Sequence, residues 1–264
     1  MIKIEKDFMD IPSILSSENR KNAFDGNIAS SSYSDSKNLY KVGSVQKRLN
    51  ELYHLKCGYC EKTLLDSPKH IEHYRPKKTY YWLAYSWDNL LLSCGECNSA
   101  KGDRFEVENE KVIYRDEPFS MIHGLGKGYD TLESPLIVNP EKEYILDTLS
   151  FDKKGHISTS DKRMNHTINA CNLDRQALCG LREEILVDFI EEMEGHYLYF
   201  KEKKDVSRFV PTVQQFLNAC RVENKFYAFR YYIINNIELF FEDRTLQKVL
   251  KIIIKKLKNK EKIN

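Results

Sequence analysis

The sequence predicts an α+β protein in which a small, metal-rich module precedes a mostly helical region. Two C-x-x-C pairs, Cys57–Cys60 and Cys94–Cys97, bracket the segment that contains most of the chemically reactive side chains. From about residue 165 onward, apolar residues recur every three or four positions, which is the spacing of amphipathic helices. Length and composition agree with this, because 264 residues with 41% hydrophobic and 30% charged side chains are typical of a soluble protein with a proper core.

The chain divides into four predicted parts. Residues 1–41 form an N-terminal extension, whose stretch 16–38 is rich in Ser, Asn and Asp and predicts a loop. Residues 42–110 form the metal-binding module, which opens with a helix over 42–53. Residues 111–164 predict a connector of strands and turns, with a flexible glycine-rich loop at 124–128, and residues 165–264 predict the helical region.

Aromatic and aliphatic residues mark the helical region. One apolar stripe contains Phe226, Phe229, Ile233, Ile237 and Phe240, and Asp243 or Thr245 can cap a last helix. The aromatic content of this region leaves two interpretations open. The rings either form a docking surface for a partner protein, since interfaces are enriched in them, or pack the helices against one another.

Charge and hydropathy narrow the possible location and partners. The net charge of +2 is nearly neutral, so contact with nucleic acid has to come from local basic clusters. The N-terminus lacks the apolar core of a signal peptide, and no window approaches the roughly 18 apolar residues of a membrane span. We therefore expect a cytoplasmic protein without a membrane partner, in which the seven cysteines are thiols or metal ligands.

The two C-x-x-C pairs predict a structural zinc site. Cys57, Cys60, Cys94 and Cys97 provide four thiolates, and two such turns can close a tetrahedral site. A single pair would leave a redox motif as an alternative, whereas two pairs favour zinc. His156 matches no ligand spacing, and Cys179 falls in a helical pattern that predicts a buried thiol.

A set of polar residues inside this frame suggests phosphodiester chemistry. Glu72 and Asn98 offer oxygen ligands that suit Mg²⁺ or Mn²⁺, and we expect His73 to titrate near neutral pH, which suits a general base. Because Glu72 and His73 are adjacent on a predicted strand, they point in different directions. Basic side chains that can hold a phosphate backbone surround them: Arg75, Lys77, Lys101 and Arg104, together with Lys69 and Lys78.

The order of these residues resembles the HNH endonucleases of the ββα-metal type. The resemblance rests on C-x-x-C, then Glu72-His73 with Pro76 three residues later, then Asn89, then the second C-x-x-C followed by N-x-x-K. It implies that Glu72 and Asn98 bind the catalytic metal, that His73 is the general base and that Asn89 orients it. It also adds His70 as a third or outer metal ligand. Asn98 in place of histidine favours Mg²⁺ or Mn²⁺ over Zn²⁺ at that site.

Longer stretches are similar to the HNH subunits of Septu-type and retron-associated antiphage systems. They include I-E-H-Y-R-P-K at 71–77, W-D-N-L-L-L-S-C at 87–94 and P-L-I-V-N-P at 135–140. This resemblance implies a nuclease that acts on DNA together with an ABC-type ATPase subunit. Two alternatives stay open, namely the same chemistry on RNA such as a tRNA, and a zinc-knuckle module that binds nucleic acid without catalysis.

Overall fold

The computed structural model describes residues 4–143 and 145–261. Its dense internal contacts form two units, one of residues 1–147 and 159–173 and the other of residues 148–158 and 174–264. In the first unit the helices and strands are α1 (Glu18–Ser30), α2 (Gly43–Leu52), β1 (Lys69–His73), β2 (Leu90–Cys94), α3 (Gly95–Lys101), α4 (Gly126–Glu133) and, after the hairpin described below, α5 (Lys162–Ala170).

Strands β1 and β2 and helix α3 form the ββα element that the sequence predicted. The strands are antiparallel, with Lys69 opposite Cys94 and His73 opposite Leu90. Every residue of β2 is buried, so this strand carries the core of the module. Helix α3 begins directly after β2, and the Cys94 sulfur caps it by accepting a hydrogen bond from the Cys97 N–H. The mixed α+β class with a helical C-terminal region is confirmed.

The predicted loop over residues 16–38 is wrong, because helix α1 occupies most of it. Its buried face consists of Arg20, Phe24 and Asn27, so only one of the three positions is apolar. The Asn27 amide donates to the Tyr81 carbonyl and accepts from the Ser34 N–H, which satisfies it inside the protein. A helix with a polar buried face lacks the apolar period by which sequence patterns reveal helices.

The glycine-rich stretch of the connector is also ordered, contrary to the predicted flexible loop. Helix α4 begins at Gly126, whose N–H donates to the Asp88 carboxylate at 2.7 Å. A Cβ atom at this position would lie 2.6 Å from that carboxylate oxygen, so the close approach requires glycine. At the other end of α4, Glu133 is fully buried.

In the second unit, a two-stranded hairpin precedes five helices. The elements are β3 (Leu149–Phe151), β4 (Ile157–Thr159), α6 (Gln176–Lys203), α7 (Phe209–Ala219), α8 (Tyr227–Asn235), α9 (Ile237–Phe240) and α10 (Arg244–Glu261). The predicted stripe from Phe226 to Phe240 is buried, and Asp243 caps α10 through the Leu246 N–H. The phenylalanines of that stripe therefore pack the helices of this unit. Among the described residues, none of the helices has the length and apolar character needed to cross a bilayer.

Candidate active site and metal centre

The four cysteines of the two C-x-x-C pairs form one buried cluster. Each is at most 3% exposed, and their sulfur atoms all lie within 4.8 Å of one another. The Gly58 N–H donates to the Leu92 carbonyl, which fastens the first pair to β2 beside the second. A Cβ atom at Gly58 would lie 2.7 Å from the Tyr53 ring, so this turn also requires glycine.

The geometry of the cluster fits a tetrahedral thiolate site. Zinc–sulfur bonds of about 2.3 Å place sulfur atoms roughly 3.8 Å apart at the corners of a tetrahedron. The Cys60 and Cys94 sulfur atoms are 3.8 Å apart. The cluster can therefore hold a metal ion and is compatible with zinc.

A pocket of about 230 Å³ lies beside this cluster and contains several of the predicted site residues. The residues of this pocket that carry chemistry are His70, Glu72, His73, Lys77 and Asn98, together with Tyr40, Lys41 and Asp103. The first five were predicted from sequence. Asn89, Arg75, Lys101 and Arg104 do not line it.

His73 is held as a neutral imidazole. Its Nε2 lies 3.0 Å from the Ala84 carbonyl oxygen, and because a carbonyl only accepts hydrogen bonds, Nε2 carries the proton. Its Nδ1 is then an acceptor, which a general base requires. The Tyr40 ring packs edge-on against the imidazole at 4.5 Å. Burial lowers the pKa of His73 to about 3, well below the near-neutral value expected from the sequence, and the nearby charges of Lys77, Lys101 and Lys41 act in the same direction.

Glu72 is oriented by a buried lysine. The Lys101 ammonium donates to Glu72 Oε1 at 2.6 Å and to the His73 carbonyl oxygen at 2.7 Å. Burial raises the pKa of the Glu72 carboxyl, and the Lys101 charge opposes that rise. Lys101 is completely buried, so the prediction that it contacts substrate phosphate is contradicted. One ammonium instead fixes two adjacent positions at the end of β1.

Arg75 is also misassigned as a phosphate ligand. It is 1% exposed, and its guanidinium binds Asp130 at 2.7 Å and Glu133 at 2.8 Å. Sequence shows that an arginine is charged, but it does not show that two carboxylates from a helix more than 50 residues away neutralise it. Arg75 therefore anchors α4 to the loop after β1.

Asn89 holds the loop that orients His73. Its side-chain oxygen Oδ1 accepts from the Arg75 N–H at 2.7 Å, and its side-chain amide nitrogen donates to the Arg75 and Leu83 carbonyls. The residue after Leu83 is Ala84, whose carbonyl binds the imidazole. Asn89 therefore acts on His73 indirectly, because its side chain holds the loop whose Ala84 carbonyl binds the imidazole.

The remaining predicted residues are arranged as follows. His70 lies over the start of α3, where its Nε2 would be 3.3 Å from a Cβ atom at Gly95. Half-buried Lys77 donates to the Tyr40 hydroxyl at 2.7 Å and borders the pocket. Arg104 is exposed on the loop after α3.

Three residues of the pocket were missed in the sequence. Tyr40 and Lys41 belong to the segment before α2, about 30 positions from His73, and no spacing relates them to it. Asp103 follows the N-x-x-K segment directly and adds a carboxylate to the pocket. Only Asp103 had a local signal, namely its position beside Lys101.

Comparison with known proteins agrees with this geometry. Residues 57–104 match the HNH endonuclease family. The matched segment begins at the first cysteine of the cluster, contains β1, β2 and α3, and includes all the predicted catalytic and metal-binding residues.

Three named relatives extend the likeness beyond this domain. Septu protein PtuB of Bacillus mycoides (strain KBAB4) is 33% identical over 166 residues, which cover 56% of this chain and 53% of that protein. Septu protein PtuB of Bacillus thuringiensis is 43% identical over 71 residues, 26% of this chain and 27% of that protein. Septu protein PtuA of Bacillus mycoides (strain KBAB4) is 24% identical over 176 residues, 60% of this chain and 24% of that protein.

These alignments span about half the length of the first relative and about a quarter of the other two. Together with the domain match, they confirm the predicted resemblance to HNH nucleases of the Septu type.

Proposed function

We propose that this chain is a metal-dependent endonuclease that hydrolyses phosphodiester bonds of DNA, as the nuclease subunit of an antiphage defence complex. The observation that carries the proposal is the pocket in which Glu72, His73 and Asn98 meet, inside the segment that matches HNH endonucleases. A module that only bound nucleic acid through its cysteine cluster would not require a neutral histidine, a carboxylate and an amide around one pocket.

His73 is the general base of the proposed reaction. Its Nδ1 takes a proton from the attacking water, while the Nε2–H bond to Ala84 keeps the ring in place. The low pKa that burial produces keeps this nitrogen unprotonated at neutral pH. Asn89 and Lys101 act as positioning residues, the first through the loop that carries Ala84 and the second through Glu72 and the His73 carbonyl.

Two metal sites with different donors belong to the proposal. The four thiolates would hold zinc, which has no free coordination position there and is therefore structural. Glu72 and Asn98, with His70 as a third or outer ligand, would hold Mg²⁺ or Mn²⁺, because hard cations prefer oxygen donors. When bound, that ion would polarise the scissile phosphate and stabilise charge on the leaving oxygen.

The basic side chains that remain accessible would contact the phosphate backbone. They are Lys77 and Lys41 at the pocket and Arg104 on the adjacent loop. Lys101 and Arg75 leave this role because carboxylates inside the protein bind them.

The proposed partner is an ABC-type ATPase subunit, and the similarity to Septu proteins named PtuB and PtuA supports a partner from a defence system. We also propose that this partner docks on residues 165–264. The buried phenylalanines of that region are not part of the docking surface. Leu198 and Leu239 are 63% and 52% exposed and are better candidates. We expect Leu198→Lys with Leu239→Lys to weaken co-purification with the neighbouring gene product. Full retention of that partner by the double variant would place the dock elsewhere.

The decisive test of the chemistry compares His73→Ala with Asn98→Ala in a cleavage assay. We expect His73→Ala to lose about 10²–10⁴-fold in rate while it keeps its fold and its zinc, because loss of a general base has that cost. Asn98→Ala should also lose activity, but excess Mn²⁺ should restore part of it, since that change weakens metal binding. Excess Mn²⁺ should not restore His73→Ala.

Duplex DNA, single-stranded DNA and tRNA are assayed as substrates in parallel. His166→Ala serves as the control variant. His166 is a partly exposed histidine bound to Glu106, away from the pocket. Near-normal cleavage by a folded His73→Ala protein would contradict the mechanism. Cleavage of tRNA alone would retain the mechanism and replace DNA by RNA as the substrate.

A further inference from the structure

A second group of metal-binding side chains lies in the unit of residues 148–158 and 174–264. His156 is in the turn between β3 and β4, Asp174 precedes α6, and Cys179 is in the first turn of that helix. One donor atom from each residue lies within 4.8 Å of the other two. No residue of this group belongs to the HNH segment.

The donor atoms of this group lie at or slightly below the separations of a tetrahedral site, so small side-chain shifts would admit one ion, with either Asp174 oxygen as the ligand. His156 Nδ1 lies 3.1 Å from Asp174 Oδ2 and 3.4 Å from the Cys179 sulfur, which is 3.5 Å from Asp174 Oδ1. Bonds of about 2.0–2.1 Å to nitrogen and oxygen and about 2.3 Å to sulfur place donors roughly 3.3–3.6 Å apart around one zinc ion.

Without an ion, the three side chains can satisfy one another by hydrogen bonds. The His156 Nδ1–H can donate to Asp174 Oδ2, and the Cys179 thiol can donate to Asp174 Oδ1 or to the Asp174 main-chain carbonyl oxygen. With the thiol deprotonated and the His156 proton on Nε2, all three side chains can instead direct lone pairs at one cation.

The surrounding backbone holds the donors in place before any ion binds. Asp174 Oδ1 accepts the Ile157 N–H at 2.8 Å, which ties the carboxylate to β4. Gly155 has a φ of 75°, and a Cβ atom there would overlap the Cys179 carbonyl oxygen. The turn can therefore approach the start of α6 only with glycine at this position.

We propose that His156, Asp174 and Cys179 bind a divalent transition-metal ion of the zinc class, with water in the fourth position. Thiolate and imidazole donors exclude Mg²⁺ and Ca²⁺ as the preferred ions. The His156 and Asp174 side chains are 44% and 41% exposed, which gives the ion an entry path and gives water access to it. On binding, the Cys179 thiol releases one proton to solvent, and His156 keeps its proton on Nε2. The ion would fasten the hairpin turn to α6.

The test measures ion binding by the full-length chain and does not depend on nuclease activity. Purified protein is equilibrated with micromolar free Zn²⁺, and the bound metal is counted by elemental analysis. We expect the wild type to hold one ion more per chain than His156→Ala and one more than Cys179→Ala. The controls are His196→Ala and Cys220→Ala, which change a histidine and a thiol of the same unit outside the group and should bind as the wild type does.

Cobalt distinguishes the thiolate at this site from the four-cysteine cluster. Co²⁺ added to protein as purified should produce a thiolate-to-cobalt absorption band that Cys179→Ala lacks and Cys220→Ala retains. Added Zn²⁺ should also raise the melting temperature of the wild type more than that of His156→Ala, which keeps Cys179 and changes an accessible side chain. Equal zinc content in wild type and His156→Ala, or a cobalt band unchanged in Cys179→Ala, would overturn the proposal. Both results leave the proposed nuclease function unaffected, because Glu72, His73 and the four-cysteine cluster are intact in every variant.

Discussion

Both units bury aromatic rings, but the first also buries charged groups in pairs. In the first unit, Glu72 with Lys101, Glu133 with Arg75, and Glu141 with Lys6 are ion pairs removed from solvent. In the second unit, Arg182 is the one buried residue with a charged side chain among those described. Its core instead contains ring contacts such as Phe189 stacked on Phe216 at 4.0 Å.

This difference is expected if the first unit contains the proposed active site. A reactive pocket needs groups with fixed direction and altered proton affinity, and buried ion pairs provide both at a considerable desolvation cost. A helical unit that buries few charged groups is stabilised mainly by burial of apolar surface. The two units should therefore respond differently to substitution.

The largest effect is expected from loss of the cysteine cluster. Cys94→Ser should release the zinc and unfold the module, because structural zinc contributes about 10–16 kcal/mol of apparent binding free energy that is coupled to folding. Elemental analysis and circular dichroism would measure both losses. Cys171→Ala is the matched control, since this thiol is equally buried in the same unit but lies outside the cluster. A folded Cys94→Ser protein with normal zinc would contradict the assignment.

Removal of one charge from a buried pair should have the next largest effect. Arg75→Met leaves the fully buried Glu133 carboxylate without its guanidinium, which costs about 3–5 kcal/mol of the free energy of unfolding. We expect KM for nucleic acid to be unchanged, because Arg75 does not reach the pocket. Arg104→Met, an exposed arginine, should leave stability unchanged. Wild-type stability together with a raised KM in Arg75→Met would restore Arg75 as a phosphate ligand.

In the aromatic core of the second unit, a comparable loss of stability is expected when a substitution leaves a cavity. Phe189→Ala removes a ring that is 3% exposed and should cost about 3–5 kcal/mol of the free energy of unfolding of the second unit. Chemical denaturation measures this, and zinc in the four-cysteine cluster should be retained. Val187→Ala on the same helix is the control, because Val187 is 42% exposed. An equal loss in both variants would argue against a packed core around Phe189.

The smallest effect is expected at the edge of the pocket. Lys77→Gln should raise KM severalfold without a change in stability, because it removes one proposed phosphate contact. The slope of log affinity against log salt should fall by about 0.9 for duplex DNA, the value for one released counterion. Lys21→Gln is the control, since its side chain is 50% exposed in the same unit and lies outside the pocket. Identical salt slopes for the two variants would remove Lys77 from the interface.

Local patterns predicted the residues whose chemistry depends on close spacing. The members of each cysteine pair lie in one short turn, Glu72 and His73 are adjacent, and Asn98 directly follows Cys97, so each small group is visible from local spacing. The pairing of β1 with β2 then brings these groups together. The apolar stripe from Phe226 to Phe240 was predicted for the same reason, because helical periodicity is a local property.

The sequence by itself thus determined the four-cysteine cluster, the resemblance to HNH endonucleases and the helical character of the C-terminal region. Only the tertiary structure decided which charged side chains remain accessible, because burial depends on segments distant in sequence. Asp130 and Glu133 neutralise Arg75, and Glu72 neutralises Lys101, although the sequence predicted both basic residues as phosphate ligands. Long-range packing also brought Tyr40 against His73 and joined His156 to Cys179. Periodicity in the sequence does not predict such contacts, because each joins segments that are distant along the chain.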